Sequence, residues 1–397
     1  LAKKMAQSTR QVMDFLHDLA ERSRGRAETE LGEVRDYARV NHAMEDLQAW
    51  DIPYYSEKLR QHNYAISQEE LKPYFPEPHV VSGLFSVAER LYGLRIEKAD
   101  GVDTWHQDVR FYRIFDAAGE LRGQFYLDLY ARPHKRGGAW MDECISRRMA
   151  EGKSQIPVAY LTCNFSPPIG DDPALFTHDE VITLFHEFGH GLHHMLTKVD
   201  YSSISGINGV AWDAVELPSQ FMENWCWERE ALDLMASHYK TGEHLPDDLF
   251  QRMHNARNFQ SAMQMVRQLE FALFDFRIHL EYDLTAGARI PEILEEVRNQ
   301  VSVIQPPAFN RFPNSFTHIF SGGYAAGYYS YKLAEVLSSD AFSAFEENGI
   351  FDSETGAKFL SSILEQGGSR DPMELFIAFR GREPTIDALL RHSGLAA

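Results

Sequence analysis

Apolar residues recur at helical spacing from the start of the chain: Val12, Phe15, Leu16 and Leu19, then Leu31, Val34 and Ala38. The pattern breaks at Pro53 in "QAWDIPYY" and again in "KPYFPEP". From about residue 105 the segment "VRFYRIFDAAGELRGQFYLDLYAR" alternates apolar and polar positions around turn residues Asp116 to Gly119, which predicts a β-hairpin. "IPVAYLTCNF" (156–165) predicts another strand, ending at Pro167-Pro168.

Beyond that point the pattern is helical. In "FTHDEVITLFHEFGHGLHHML", Thr177 and Glu180 have capping-box spacing just ahead of an apolar run, so a helix starts there. "AWDAVELPSQFMENWCWERE" predicts a second helix kinked at Pro218. Residues from about 246 to 284 predict one long helix, with Met265, Leu269, Leu273, Phe276 and Leu280 on one stripe. Residues 303–316 read as a loop, and helices resume at about 324 and run nearly to the end. No repeat, low-complexity segment or flexible linker stands out.

A chain of 397 residues is expected to divide into two or three lobes. Its 44% hydrophobic and 24% charged content is that of a globular protein. No apolar run approaches the roughly 18 to 20 residues of a membrane helix. "LAKKMAQSTRQVMDF" lacks the apolar stretch of a signal peptide. The net charge of −19 argues against nucleic acid or an anionic membrane as partner. Cys144, Cys163 and Cys226 are few and widely spaced, which fits a reducing, cytoplasmic setting without a disulfide framework and makes the Asn164-Phe165-Ser166 sequon a chance match.

The chemistry concentrates in "FHEFGHGLHH" (185–194). His186-Glu187-Phe188-Gly189-His190 is an H-E-x-x-H match. Residues i and i+4 lie on one helix face, about 6 Å apart along the axis, so two neutral imidazoles can converge on a Zn²⁺ ion. Glu187, beside the first ligand, is placed to act as general base on a water. His194 continues the row, but lies about 12 Å from His186 along a straight helix, too far to share the ion. His193 and His194 are therefore expected to be packing or supporting residues. Gly189 and Gly191 each sacrifice about 1 kcal/mol of helix stability relative to Ala, which makes sense if another backbone or a substrate comes close. The third ligand must come from elsewhere. Asp213, Glu216 and Glu223 can share a face of the next predicted helix; spacing favours Glu216 but leaves the other two open. Tyr324, Tyr328 and Tyr331 fall at i, i+4 and i+7, either an aromatic core stripe or a row of phenolic donors beside Gly322-Gly323.

"FHEFGHGLHH", "VELPSQFMENW" and "HIFSGGYAAGYYSY", with "AWDIPYYSEKLR", "KRGGAW" and "FRGREPTIDALLRHSG", resemble the thimet oligopeptidase family of zinc metallopeptidases over essentially the whole chain. The resemblance implies one Zn²⁺ per chain held by His186, His190 and Glu216, the last in the family's E-x-P-S-Q motif, with Glu187 as base. It also implies that His318, Tyr328 and Tyr331 act on the reacting carbonyl, while Tyr324, Gly322 and Gly323 contact substrate. The expected fold is mainly α (α+β), a multi-helix zincin-like catalytic domain with a small β-sheet beside the zinc helices. Three segments are expected: a helical segment at 1–100, the sheet and zinc helices at 101–240, and a helical region with the Gly-Gly/Tyr loop at 241–397. Family members are longer, with a helical N-terminal region that walls a channel, so a monomeric catalytic fragment is expected.

The expected activity is hydrolysis of internal bonds in short peptides, with strand 156–165 holding the substrate backbone as an added strand. One alternative is a peptidyl-dipeptidase of the same family. An aminopeptidase is suggested by Met222-Glu223-Asn224, but the glycine of G-x-M-E-N is missing and the triplet follows the zinc helix instead of preceding it. Non-catalytic alternatives are a peptide-binding module with a structural zinc, which would need a fourth protein ligand, and a chaperone-like peptide holder.

Overall fold

The computed structural model describes residues 4–396. Its first long element is the helix Thr9–His42. The Ser8 side chain caps it by accepting the Gln11 N–H, and it buries Val12, Leu16, Leu19, Leu31, Val34 and Ala38. Pro53 opens the next helix, Ile52–Tyr64, from its first turn, where a missing N–H costs nothing.

The chain forms two compact units, each assembled from separated segments. One comprises Leu1–Ile66, Arg252–Leu333 and Ile386–Ala397; the other comprises Ser67–Gln251 and Ala334–Thr385. In the first, the Thr9–His42 helix packs on the helix Ser261–Leu280, burying Ala27, Leu31, Ala262, Met263 and Val266 around Ile52. The single helix expected over 246–284 is two helices, Asp247–Asn255 and Ser261–Leu280. They are separated by a turn in which Gln260 takes a left-handed φ of 58°. Leu280 ends the second helix 47% exposed and leaves the buried stripe. The loop expected over 303–316 contains a one-turn helix, Phe312–Ser315.

The second unit holds the strands β1 (Arg95–Lys98), β2 (Arg110–Phe115), β3 (Leu121–Tyr130), β4 (Trp140–Ile145), β5 (Arg148–Ala150), β6 (Lys153–Gln155) and β7 (Val158–Phe165). β5 and β6 form a separate small hairpin; the other five make one sheet in the order β1-β2-β3-β7-β4. β2 and β3 are the expected hairpin, paired antiparallel. β7 runs parallel to β3 and antiparallel to β4. It is therefore hydrogen-bonded on both sides and cannot receive a substrate as an added strand, contrary to the expectation for 156–165; the strand on that edge of the sheet is β4. The protein is mainly helical with one small mixed sheet, the α+β class expected. Among the described residues, no helix is long and apolar enough to cross a membrane.

One face of the sheet carries Phe125, Leu127, Ala159, Leu161 and Cys163, all buried, and the helix His178–Met195 lies on it. Phe188 of that helix packs against Phe125 and against Phe85 from the helix Glu77–Tyr92. Two glycines set the helix close to the strands. A Cβ on Gly123 would meet the Met195 Cβ at 2.5 Å, and one on Gly191 would meet the Leu161 Cδ2 at 3.0 Å.

Candidate active site

The His178–Met195 helix begins with the expected capping box: Thr177 accepts the Glu180 N–H, and the Glu180 side chain accepts the Thr177 N–H. Such a cap fixes the helix register, and with it the direction of His186 and His190. Their rings lie 4.9 Å apart.

The second predicted helix differs from expectation. It runs Leu217–Glu223 and continues as a 3-10 turn, Asn224–Trp227. Pro218 sits in the first turn of this helix and kinks nothing, because there its missing N–H has no partner to lose. Glu216 is the residue just before the helix, and the Ser219 hydroxyl lies 3.0 Å from its Oε2 as donor.

These two helices bring three ligand atoms together. Glu216 Oε2 lies 3.2 Å from His186 Nε2 and 3.0 Å from His190 Nε2. His186, His190 and Glu216 form the one metal-competent group among the described residues, with ligand atoms within 4.8 Å of one another. Asp213 is not in it. Glu223, the other open alternative, approaches the opposite side of the His186 ring, where Nδ1 donates to Glu223 Oε1 at 2.6 Å. That bond keeps a proton on Nδ1 and turns Nε2 toward Glu216. His190 Nδ1 is buried without a hydrogen-bond partner.

The electrostatics favour a cation. Burial alone would lower the His186 imidazole, but the carboxylates of Glu216 and Glu223 hold it well above its ordinary value. Burial would raise the Glu216 carboxyl, but His190 and His186 hold it well below its usual range, so it is an anion. Two imidazole nitrogens and one carboxylate oxygen form a donor set that fits a zinc-like ion and leaves a coordination position open. Glu187 is buried, and that burial pushes its carboxyl up; the Glu216 charge adds to the rise, while the imidazoles of His186 and His190 and the Met141 backbone N–H oppose it. The net result is a more basic carboxylate, as a proton acceptor near neutral pH requires.

His193 and His194 are buried outside the ligand group. Burial beside His190 and His194 holds His193 down at about 3. His194 donates from Nε2 to the Ile145 carbonyl at 3.0 Å, tying the helix to β4.

The remaining candidates gather in the other unit. Tyr324 and Tyr331 stack with ring centroids 4.9 Å apart, Tyr328 lies 5.2 Å from Tyr331, and His318 lies 5.7 Å from Tyr328. They do not share a helix face as the spacing suggested. The helix here is Ser330–Asn348, so Tyr324 and Tyr328 sit in the turns before it. Gly323 has a φ of 85°, and a Cβ on Gly322 would meet the His318 carbonyl oxygen at 2.8 Å, so both glycines are needed to fold these turns. The Tyr328 hydroxyl donates to Gln268 Oε1 at 2.9 Å, and burial pushes it up to about 12, leaving it protonated at neutral pH.

Sequence reasoning missed the orienting role of Glu223, although its position seven residues after Glu216 put it on the right face. Replacing Glu223 by Ala frees the His186 ring to turn. Metal affinity is then expected to fall about 10- to 100-fold, read by competition with a chromogenic chelator.

Two histidines one helical turn apart, a carboxylate at the start of a second helix and an adjacent buried glutamate form a two-histidine, one-carboxylate group that could hold a metal ion, beside a small mixed sheet. The chain belongs to peptidase family M3, whose sequence model matches residues 1–395. It is 59% identical to oligopeptidase A of Salmonella typhimurium over 396 residues, covering 100% of this chain and 58% of that protein. It is 36% identical to the dipeptidyl carboxypeptidase of the same organism, again over 100% of this chain and 58% of that protein. The chain thus spans about 58% of the length of these curated relatives. Among solved structures, Trypanosoma cruzi metallocarboxypeptidase 1 matches 96% of this chain and 66% of its own, with a TM-score of 0.49 and 11% identity.

Proposed function

We propose that this chain carries the catalytic centre of a cytoplasmic zinc oligopeptidase that hydrolyses internal bonds of short peptides. The observation that carries this reading is the convergence of His186 Nε2, His190 Nε2 and Glu216 Oε2 next to the buried Glu187. A zinc ion held by these three residues would supply Lewis acidity, making a water acidic enough to attack at neutral pH and polarising the scissile carbonyl. Glu187 takes the proton of the attacking water and later passes it to the leaving amine. Glu223 holds the His186 ring through Nδ1, and Ser219 holds the Glu216 carboxylate. The phenol of Tyr331, with His318 and with Tyr328 once its hydroxyl proton turns from Gln268 Oε1, is proposed to donate to the tetrahedral oxyanion, and Tyr324, Gly322 and Gly323 are proposed as substrate contacts. β4 takes the place of the strand at 156–165 as the edge along which an extended peptide adds. The Met141 backbone of β4 helps offset the burial of the Glu187 carboxyl, so a strand laid there passes the proton acceptor.

The greater identity to oligopeptidase A than to the dipeptidyl carboxypeptidase favours internal cleavage over removal of C-terminal dipeptides. Incubating the protein with a mixture of short peptides blocked at the C-terminus, with and without a chelator, tests both points. Internal cleavage that stops on chelation and returns with added zinc is expected. Cleavage that survives chelation, or no cleavage by the zinc-loaded protein, would overturn the proposal.

A further inference from the structure

Asp275 lies two turns beyond Gln268 on the Ser261–Leu280 helix and is fully buried. Its carboxylate accepts three successive backbone N–H groups from the tyrosine turn. Oδ1 takes that of Ala326, and Oδ2 takes those of Gly327 and Tyr328, each at 2.9 Å. Consecutive amides converging on one point form a backbone nest, a concavity that binds anions. Here the anion is supplied by the chain itself.

The turn needs this partner. Ala326 has a φ of 51°, a left-handed conformation that a residue with a side chain adopts only when its surroundings impose it. Without the carboxylate, the buried Tyr328 N–H would be left unpaired, and Gly327 would keep only its bond to the Tyr324 carbonyl. His279 closes the far side, with Nδ1 3.2 Å from Asp275 Oδ1 and 2.7 Å from the Asp275 carbonyl oxygen. Tyr328 is consequently fastened to one helix at both ends, its N–H to Asp275 and its hydroxyl to Gln268. Tyr331 packs on Tyr328 and Tyr324, so the set follows that placement.

We propose that Asp275 is a positioning residue for the reaction: by filling the nest at 326–328 it sets the direction of the tyrosine hydroxyls. This rests on the reading of those tyrosines as oxyanion donors. Asparagine at 275 retains one acceptor oxygen and presents an NH2 to the remaining amide, so Asp275→Asn loosens the turn without removing the side chain.

Hydrogen–deuterium exchange and steady-state kinetics on the zinc-loaded protein test the proposal. Asp275→Asn is expected to speed exchange at residues 326–328 and leave 178–195 unchanged. It is also expected to lower kcat about 10- to 100-fold with KM and zinc content preserved. On a Tyr328→Phe/Tyr331→Phe background the same substitution should cause no further loss. Unchanged exchange at 326–328 overturns the anchor. A full additional loss in the tyrosine-free background overturns action through the tyrosines. If the double phenylalanine variant alone keeps full activity, the donor reading fails, while the exchange result still judges the anchor. If Asp275→Asn does not fold, the unmodified protein decides: its 326–328 amides must exchange among the slowest of segment 316–331, and fast exchange there overturns the proposal.

Discussion

Replacing Glu187 by Gln is expected to lower kcat by about 10²- to 10⁴-fold, the range for loss of a general acid–base group. Zinc stoichiometry by metal analysis and peptide affinity by calorimetry should stay at parental levels. The physical basis is the separation of roles within one turn of helix. His186 and His190 turn nitrogens toward Glu216, whereas Glu187 is buried outside the ligand group. Glutamine has nearly the shape of glutamate, so packing survives. Only the capacity to take a proton from water disappears. Near-normal turnover in this variant would falsify the mechanism; loss of zinc would instead show that Glu187 has a structural share in the site.

A Gly189→Ala variant should be nearly as damaging, for a different reason. A Cβ at residue 189 would lie 2.4 Å from the Pro218 carbonyl oxygen and 2.6 Å from the Ser219 Cα. Both obstacles are backbone and cannot rotate away. The helix carrying the histidines and the helix Leu217–Glu223 must then separate, drawing Glu216 back from the two Nε2 atoms. Alanine gains about 1 kcal/mol of intrinsic helix preference, but overpacking at a rigid contact costs about 1–3 kcal/mol. Glu216 withdrawn by even a fraction of an ångström should weaken zinc binding at least about 10-fold. Gly191→Ala is the control: its Cβ meets the Leu161 side chain, which can shift. Dialysis against graded chelator and thermal melts distinguish the two. A Gly189→Ala protein that melts and holds zinc like the parent would show that the close helix contact does not set the site.

Both expectations draw on features readable at different levels. The helix with Thr177 and Glu180 as its cap, the β2–β3 hairpin and the strand ending at Phe165 were legible because each is local: a periodicity, a capping pair, a turn. The helix start at Leu217 was misread because a proline in a helical pattern can kink or begin a helix, and only the backbone ahead of it decides which. The break at Gln260 was equally hidden, since glutamine is no turn signal and the apolar stripe at 265–280 lies wholly beyond it. Tyr324, Tyr328 and Tyr331 have helical spacing, yet they meet through turns that Asp275 holds from a distant point in the sequence.

The sequence by itself determined the chemistry available: two imidazoles i and i+4 on a capped helix, a carboxylate between them, and a chain matching a peptidase family over nearly its full length. Helix geometry makes that inference safe, because it depends on a few bonds along one segment. Tertiary structure decided everything that needs two segments to meet. It brought Glu216 to the histidines across the contact at Gly189, set Glu223 behind His186, and enclosed β7 between β3 and β4, leaving β4 at the edge. Those outcomes turn on ångström-scale packing between backbones far apart in the chain, and no local pattern of residues encodes such distances.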